Sequence, residues 1–520
     1  MTTTETDPTT TTTVPTPYGP VAGTVADGVH VFRGIPFAAS TEGAKRFTPP
    51  VAPEPWTEPL TCVVPGPAAP QNPSILEAAL GVEGLTYGED CLRANVFSTD
   101  LDGSAPVMVW LHGGGFETGT ASMSWYDGSA LARRGVVVVA LGYRLGALGY
   151  LDLPGVAGSG CFGLLDQVHG LRWVREAVAA FGGDPDRVTV FGESAGAMSI
   201  GALLACEAAD GLFHRAILQS GAAQNVQAPE TAADVAAKLW AATGLEAGDL
   251  DGLRALPLDQ LLAAQGTVGR EGDAGDVGLP WQPVLGSEAV PRVPLEAIRD
   301  GSADGIALLV GTTLEEMKLF PLLTPSLGQI DDEGLVTRAA AYEGLMGRQP
   351  GSLLGAYEER MQGANPVDRW LALLTDLVFR IPAIRLAEAV GARGGEAHMY
   401  LFAERSDAFD GLLGSCHALD LPFSWDNVDA PGTEIMVGEI HAERRALASR
   451  MADAWAAFAG GAADPRPGEG PAWPRYELED RATMWLAADR IEVVEDPFGT
   501  ERRWWDGLDA GLGFDLSTMA

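Results

Sequence analysis

The pentapeptide Gly192-Glu193-Ser194-Ala195-Gly196 lies between a β-branched run, Val188-Thr189-Val190-Phe191, and a stretch rich in Ala, Met and Leu. Glycines at both ends let a chain turn sharply from strand to helix, and such a turn lifts the central serine hydroxyl clear of the backbone. Ser194 is therefore the candidate nucleophile of an acyl transfer, in which a hydroxyl attacks a carbonyl carbon and water later releases the acyl group. In a chain with 65 glycines the pattern carries little weight alone, so the rest of the machinery has to be found.

A serine hydroxyl needs a general base, and a histidine base needs a carboxylate to orient it. The histidines are His30, His112, His169, His214, His398, His417 and His441. His30 and His398 fall in expected strands, His169 and His441 in or beside helices, and His214 ahead of a buried strand; hydrogen-bonded or surface roles suit them. His417 differs, because it lies in an irregular segment from Leu413 to Phe423 that follows a strong strand. The strand Leu308-Leu309-Val310 leads into Leu314-Glu315-Glu316, which offers two carboxylates past a strand end. Acids are also favoured in the first turn of a helix with no catalytic role. Taking the second gives the chain order Ser194, Glu316, His417, the order this turn motif expects. Finally, Leu111-His112-Gly113-Gly114-Gly115-Phe116 follows the run Val107 to Leu111. Its N–H groups, with that of Ala195, can converge on one point as an oxyanion hole.

These pieces need a scaffold. Val107-Met108-Val109-Trp110-Leu111 and Val136 to Leu141 are short apolar runs, as expected of strands covered on both faces. The stretch Leu164 to Phe181 reads as a helix ending at Gly182-Gly183-Asp184-Pro185, and Arg444 to Ala459 as an amphipathic helix before a Gly/Pro-rich loop. Further strands are predicted at Ala216 to Gln219, Ala307 to Val310 and His398 to Phe402. This alternation indicates an α/β architecture with a mostly parallel sheet. Val29 to Phe32 suggests a small antiparallel entry sheet. Largely helical stretches near 232–264 and 333–390 would cover one end of the sheet, with pocket lining expected around Leu262 to Leu279 and Phe320 to Leu345.

The chain has 520 residues, 46% of them hydrophobic, and carries 70 acidic against 34 basic residues, a net charge of −36. Such a field repels phosphate backbones and anionic bilayers, so neither nucleic acid nor membrane is an expected partner. Residues 1–17 are Thr-rich, without the apolar core of a secretory signal, and are expected as a disordered tail before a single domain over 18–520. No apolar run is long enough to span a bilayer, and a cytoplasmic location follows as the expectation. Cys62, Cys91, Cys161, Cys206 and Cys416 show no C-x-x-C spacing, so no metal site is indicated; a Cys62–Cys91 disulfide stays open.

With these pieces in order the chain resembles the type-B carboxylesterases. The resemblance runs from about Gly19 to Trp505 and is carried by Phe32-Arg33-Gly34-Ile35-Pro36-Phe37-Ala38, Glu89-Asp90-Cys91-Leu92, Tyr143-Arg144-Leu145-Gly146, Gly163-Leu164-Leu165-Asp166-Gln167 and the run Phe181 to Gly196. It implies an α/β-hydrolase fold with a central mostly parallel sheet flanked by helices, helical insertions over the active site and a small N-terminal antiparallel sheet. It further implies a serine carboxylic-ester hydrolase that acts on small to medium esters through an acyl-enzyme, without metal or organic cofactor. By the same resemblance Ser194 is the nucleophile, Glu316 rather than Glu315 the acid, His417 the base, and Gly114, Gly115 and Ala195 the oxyanion donors. Ser220 and Glu193 are supporting residues. Met317, Gly142, Cys161 and Asp420 depart from the usual pattern. Cys91 matches a disulfide position of secreted members, but Cys62 does not align with its usual partner, so reduced thiols are expected. The same machinery would serve a lipase, an amidase or a carbamate hydrolase, while binding-only relatives of this fold usually lack the serine or another triad member. No motif sets the oligomeric state.

Overall fold

The computed structural model describes residues 10–73, 85–268 and 279–507. In chain order its strands are β1 (Thr10–Pro15), β2 (Pro20–Ala26), β3 (Val29–Pro36), β4 (Leu60–Thr61), β5 (Arg93–Ser98), β6 (Ala105–Leu111), β7 (Val137–Leu141), β8 (Gly183–Glu193), β9 (Arg215–Gln219), β10 (Ala307–Thr313), β11 (Ala397–Phe402), β12 (Ala482–Ala487) and β13 (Arg490–Glu495). The longer helices are α1 (Phe162–Ala177), α2 (Ala195–Leu203), α3 (Pro229–Thr243), α4 (Leu258–Val268), α5 (Asp332–Leu345), α6 (Pro366–Thr375), α7 (Ile381–Gly391) and α8 (Ala442–Ala459).

Among the described residues thirteen strands join one sheet in the order β1-β2-β3-β5-β7-β6-β8-β9-β10-β11-β12-β13, with β4 paired to β2. From β7 to β12 every neighbour is parallel; β1, β2, β3 and β5 extend one edge antiparallel, and β13 closes the other. The N-terminal antiparallel strands are thus hydrogen-bonded onto the central sheet. Strand β6 shows why its run is apolar throughout. Val107, Val109 and Leu111 pack on the face covered by α1 and α2, while Met108 and Trp110 pack on the face covered by α8. A strand with helices on both sides has no polar face to alternate with.

One expectation is corrected. Residues 10–17 are not a disordered tail: Thr10–Pro15 pairs in register with Pro20–Val25, and Val14 is buried. Thr and Val favour the extended backbone, and an edge strand gains its hydrogen bonds from a neighbour already in place, so low hydrophobicity is no bar. Residues 1–9 of that expectation lie outside the described residues. The stretch near 232–264 becomes α3, α4 and a short helix between them. The stretch near 333–390 contains α5, α6 and α7, the last two joined by a π-helical turn over Asp376–Arg380.

Candidate active site

The site follows from the strand register. The chain runs from β6 outward to β7 and then returns to the other side of β6 as β8, so the loops after β6 and β8 diverge at a crevice. Leu111 of β6 is paired with Gly192 of β8, and His112 to Gly115 therefore leave the sheet beside the Ser194 turn. Glu193 is paired with Gln219 of β9, which is paired with Gly311 of β10. Ser194, Ser220, the Glu315-Glu316 pair and the His417 loop thus leave the carboxyl ends of four adjacent strands at one edge.

Ser194 holds φ 53° and ψ −125°, a conformation disfavoured for any residue with a Cβ, between the end of β8 and the first turn of α2. The turn is tight: a Cβ on Gly196 would lie 1.9 Å from the Leu111 carbonyl oxygen. Ser194 N–H donates to the Gln219 carbonyl at 2.9 Å, which pins the turn to β9. Among the described residues the Ser194 hydroxyl has no protein hydrogen-bond partner, and the N–H groups of Gly114, Gly115 and Ala195 donate to no protein acceptor. Ala195 opens α2, where helix N–H groups lack partners and the helix dipole favours negative charge. The glycine loop is braced behind by His112, whose Nδ1–H donates to the Gly113 carbonyl at 2.8 Å and whose ring stacks on Tyr143 at 4.4 Å. The Tyr143 hydroxyl donates to the His112 carbonyl at 2.6 Å. Burial pushes the His112 imidazole down to about 4, with its bond to Gly113 opposing, so the ring is neutral.

The structure brings Glu316 and His417 together. His417 Nδ1–H donates to Glu316 Oε2 at 2.6 Å, while Glu316 Oε1 accepts from the Ser220 hydroxyl at 2.6 Å and from the Thr313 N–H at 2.7 Å. Glu316 is fully buried. Each carboxylate oxygen thus accepts at least one hydrogen bond, and together the three donors fix its orientation. The other imidazole nitrogen, Nε2, lies 3.1 Å from Glu193 Oε1, on the residue preceding Ser194. Phe320 and Phe379 wall the ring, with centroids 5.4 and 4.8 Å away. Behind it Asp420 accepts from Gln219 at 3.0 Å and from the Tyr400 hydroxyl at 2.9 Å. Burial opposes the imidazolium, but the charges of Glu193, Glu316 and Asp420 prevail and raise His417 to about 9. Burial likewise pushes Glu193 up to about 8, against the pull of His417, and Asp420 up to about 6.

Glu315 does not face the imidazole; its carboxylate meets Ser415, Lys318 and Arg405. Of the expected pocket lining, residues 269–278 lie outside the described residues, Leu279 comes within 3.4 Å of the Cβ position of Gly115, and Phe320 touches His417. Phe379 has no local signature, since it reads as one more apolar residue in a helix. Only its place in the π-helical turn, a feature that recurs at functional sites, sets it apart. Cys62 and Cys91 are free, buried thiols. Among the described residues no three His, Cys, Asp or Glu side chains are grouped to hold a metal ion, and no helix is long and apolar enough to cross a membrane.

A mostly parallel sheet, a strained serine at a strand-to-helix turn and a buried acid–histidine pair at neighbouring strand ends define the α/β-hydrolase class. The profile of the Carboxylesterase family matches residues 10–502. A para-nitrobenzyl esterase of Bacillus subtilis is 40% identical over 94% of this chain and 97% of its own. A liver carboxylesterase of Sus scrofa is 33% identical over 88% of this chain and 85% of its own. The crystal structure of a Geobacillus stearothermophilus carboxylesterase superposes with a TM-score of 0.85 at 37% identity, covering 95% of this chain and all of the other. The chain belongs to the carboxylesterase family, and it is a serine hydrolase of ester bonds.

Proposed function

We propose that the chain hydrolyses small to medium carboxylic esters through an acyl-enzyme on Ser194, with His417 as base, Glu316 as its orienting acid and Gly114, Gly115 and Ala195 as oxyanion donors. The observation that carries this reading is the buried hydrogen-bonded pair of Glu316 and His417 beside a serine turn whose neighbouring N–H groups are unspent. The Ser194 hydroxyl attacks the ester carbonyl as its proton passes to His417. The carbonyl oxygen takes up negative charge and is met by the three N–H groups. His417 then protonates the departing alcohol oxygen, and water repeats the sequence on the acyl-enzyme to free the acid. Ser220 and Glu193 act in support, Ser220 by holding Glu316 in place. Five free, buried thiols suit a reducing compartment, which supports a cytoplasmic location.

The test is a rapid-mixing experiment with para-nitrophenyl acetate. A burst of nitrophenol equal to the enzyme concentration is expected, with the acetyl group found by mass spectrometry on the peptide containing Ser194. Acetyl on a different residue would sink the assignment.

The carboxylates around His417 predict a pH effect. The imidazole must lose its proton to act as base, and Glu193 and Asp420 hold that proton on. The acid limb of kcat/KM against pH is therefore expected above the ordinary histidine value of about 6.5. Glu193→Gln removes one acidic neighbour, and its limb should move to lower pH. A limb that stays in place would mean that Glu193 exerts no charge on His417.

A further inference from the structure

Glu315 adjoins the acid of the proposed triad, yet its contacts lie with the loop that carries the base. The Glu315 N–H donates to the Ser415 carbonyl at 2.9 Å, and the Ser415 N–H donates back to Glu315 Oε2 at 3.0 Å, closing a ring between loops 100 residues apart. Two residues further on, the His417 N–H donates to the Glu316 carbonyl at 3.1 Å. The Ser415 hydroxyl donates to the Phe402 carbonyl at 2.9 Å, which fixes the same loop to the end of β11. The backbone of the base is thus set against that of the acid before the two side chains meet.

The Glu315 carboxylate is built to stay charged. Its Oε1 pairs with Lys318 Nζ at 2.9 Å, and its Oε2 lies 3.5 Å from Arg405. Burial works against the charge, but the Ser415 N–H, Lys318 and Arg405 hold the carboxyl below its ordinary range. A charged acceptor makes the stronger bond to Ser415 N–H. The loops meet so closely that a Cβ on Gly414, which has φ 52°, would lie 2.4 Å from Glu315 Oε2.

We propose that Glu315 is a positioning residue: by gripping the Ser415 backbone it sets the height and angle of the His417 ring against Glu316. The proposal rests on the functional reading of Ser194, Glu316 and His417 given above. Proton transfer depends on atoms placed to within fractions of an ångström, and a misplacement of about 1 Å can cost ~10²-fold.

The test compares Glu315→Leu, which has no acceptor, with Glu315→Gln, which keeps an oxygen for Ser415 N–H, and with Ser194→Ala. All are assayed on one nitrophenyl ester and melted thermally, and the Glu315 variants and wild type are also titrated to completion with a fluorophosphonate. Glu315→Leu should lose about tenfold or more in kcat per titrated serine while KM stays within about twofold, the pattern of a group that acts only in the transition state. Its acid limb should fall to lower pH, because Glu316 holds the imidazolium less well while Glu193 and Asp420, which face the same ring, are unchanged. Glu315→Gln should restore most of kcat. A Leu variant with wild-type kcat per titrated serine and a wild-type acid limb overturns the proposal, as does one altered only in melting temperature or titratable fraction. A Gln variant no better than Leu overturns the role of the Ser415 bond. Retained turnover in Ser194→Ala would instead overturn the functional reading itself, whatever Glu315 does.

Discussion

Ser194→Ala is expected to lower turnover of a short nitrophenyl ester by about 10⁴-fold or more, while the protein keeps its fold and its melting temperature. The size of the loss follows from what remains. With the hydroxyl gone, the N–H groups of Gly114, Gly115 and Ala195 can still stabilise an oxyanion formed by water, but no acyl-enzyme divides the barrier. A second substitution separates chemistry from stability. Ser194 sits at φ 53° and ψ −125°, a strained conformation for a residue with a Cβ, costing on the order of 1–3 kcal/mol. Ser194→Gly removes that strain, offset by the extra chain entropy of glycine, roughly 0.5–1 kcal/mol. It should therefore be as inactive as Ser194→Ala and more stable by about 1 kcal/mol, read from urea unfolding. Turnover within a hundredfold of wild type in either variant would remove Ser194 from the mechanism.

The sequence made the scaffold legible where chemistry is local. The apolar runs in β6, β7 and β8 report burial on both faces, and the glycines before and after Ser194 report a turn too tight for a Cβ. From these the parallel sheet and the edge that holds the site follow, because neighbouring strand ends must face one crevice. What stayed hidden is pairwise. Nothing in the Leu314-Glu315-Glu316 segment says that one carboxylate meets His417 Nδ1 and the other the Ser415 N–H; that depends on how a loop 100 residues later lies against it. The residue pattern left both acids open, and only the family resemblance separated them. Phe379 was unreadable for the same reason, since an apolar position in a helix announces burial and not the imidazole it is buried against. The Thr-rich start was misread because hydropathy measures side chains, whereas β1 is held by backbone pairing to β2.

Glu316→Gln is expected to cost about 10³–10⁴-fold in kcat, more than its near-isosteric shape suggests. Three donors converge on the Glu316 carboxylate: the Ser220 hydroxyl and the Thr313 N–H on Oε1, and His417 Nδ1–H on Oε2. A glutamine replaces one acceptor oxygen with an NH2 group, and the direction it takes is forced. The Thr313 N–H is fixed by the backbone of β10 and cannot turn into an acceptor, so the amide oxygen must stay on that side. The NH2 then faces His417 Nδ1, which can accept it only by giving up its own hydrogen, and the neutral ring's proton moves to Nε2, the nitrogen that has to receive the Ser194 proton. The variant keeps its volume and most of its hydrogen bonds, so fold and KM should change little while kcat falls. Steady-state kinetics on the same nitrophenyl ester checks this, and a loss smaller than about tenfold would mean that His417 draws its orientation from Glu193 or Asp420 instead.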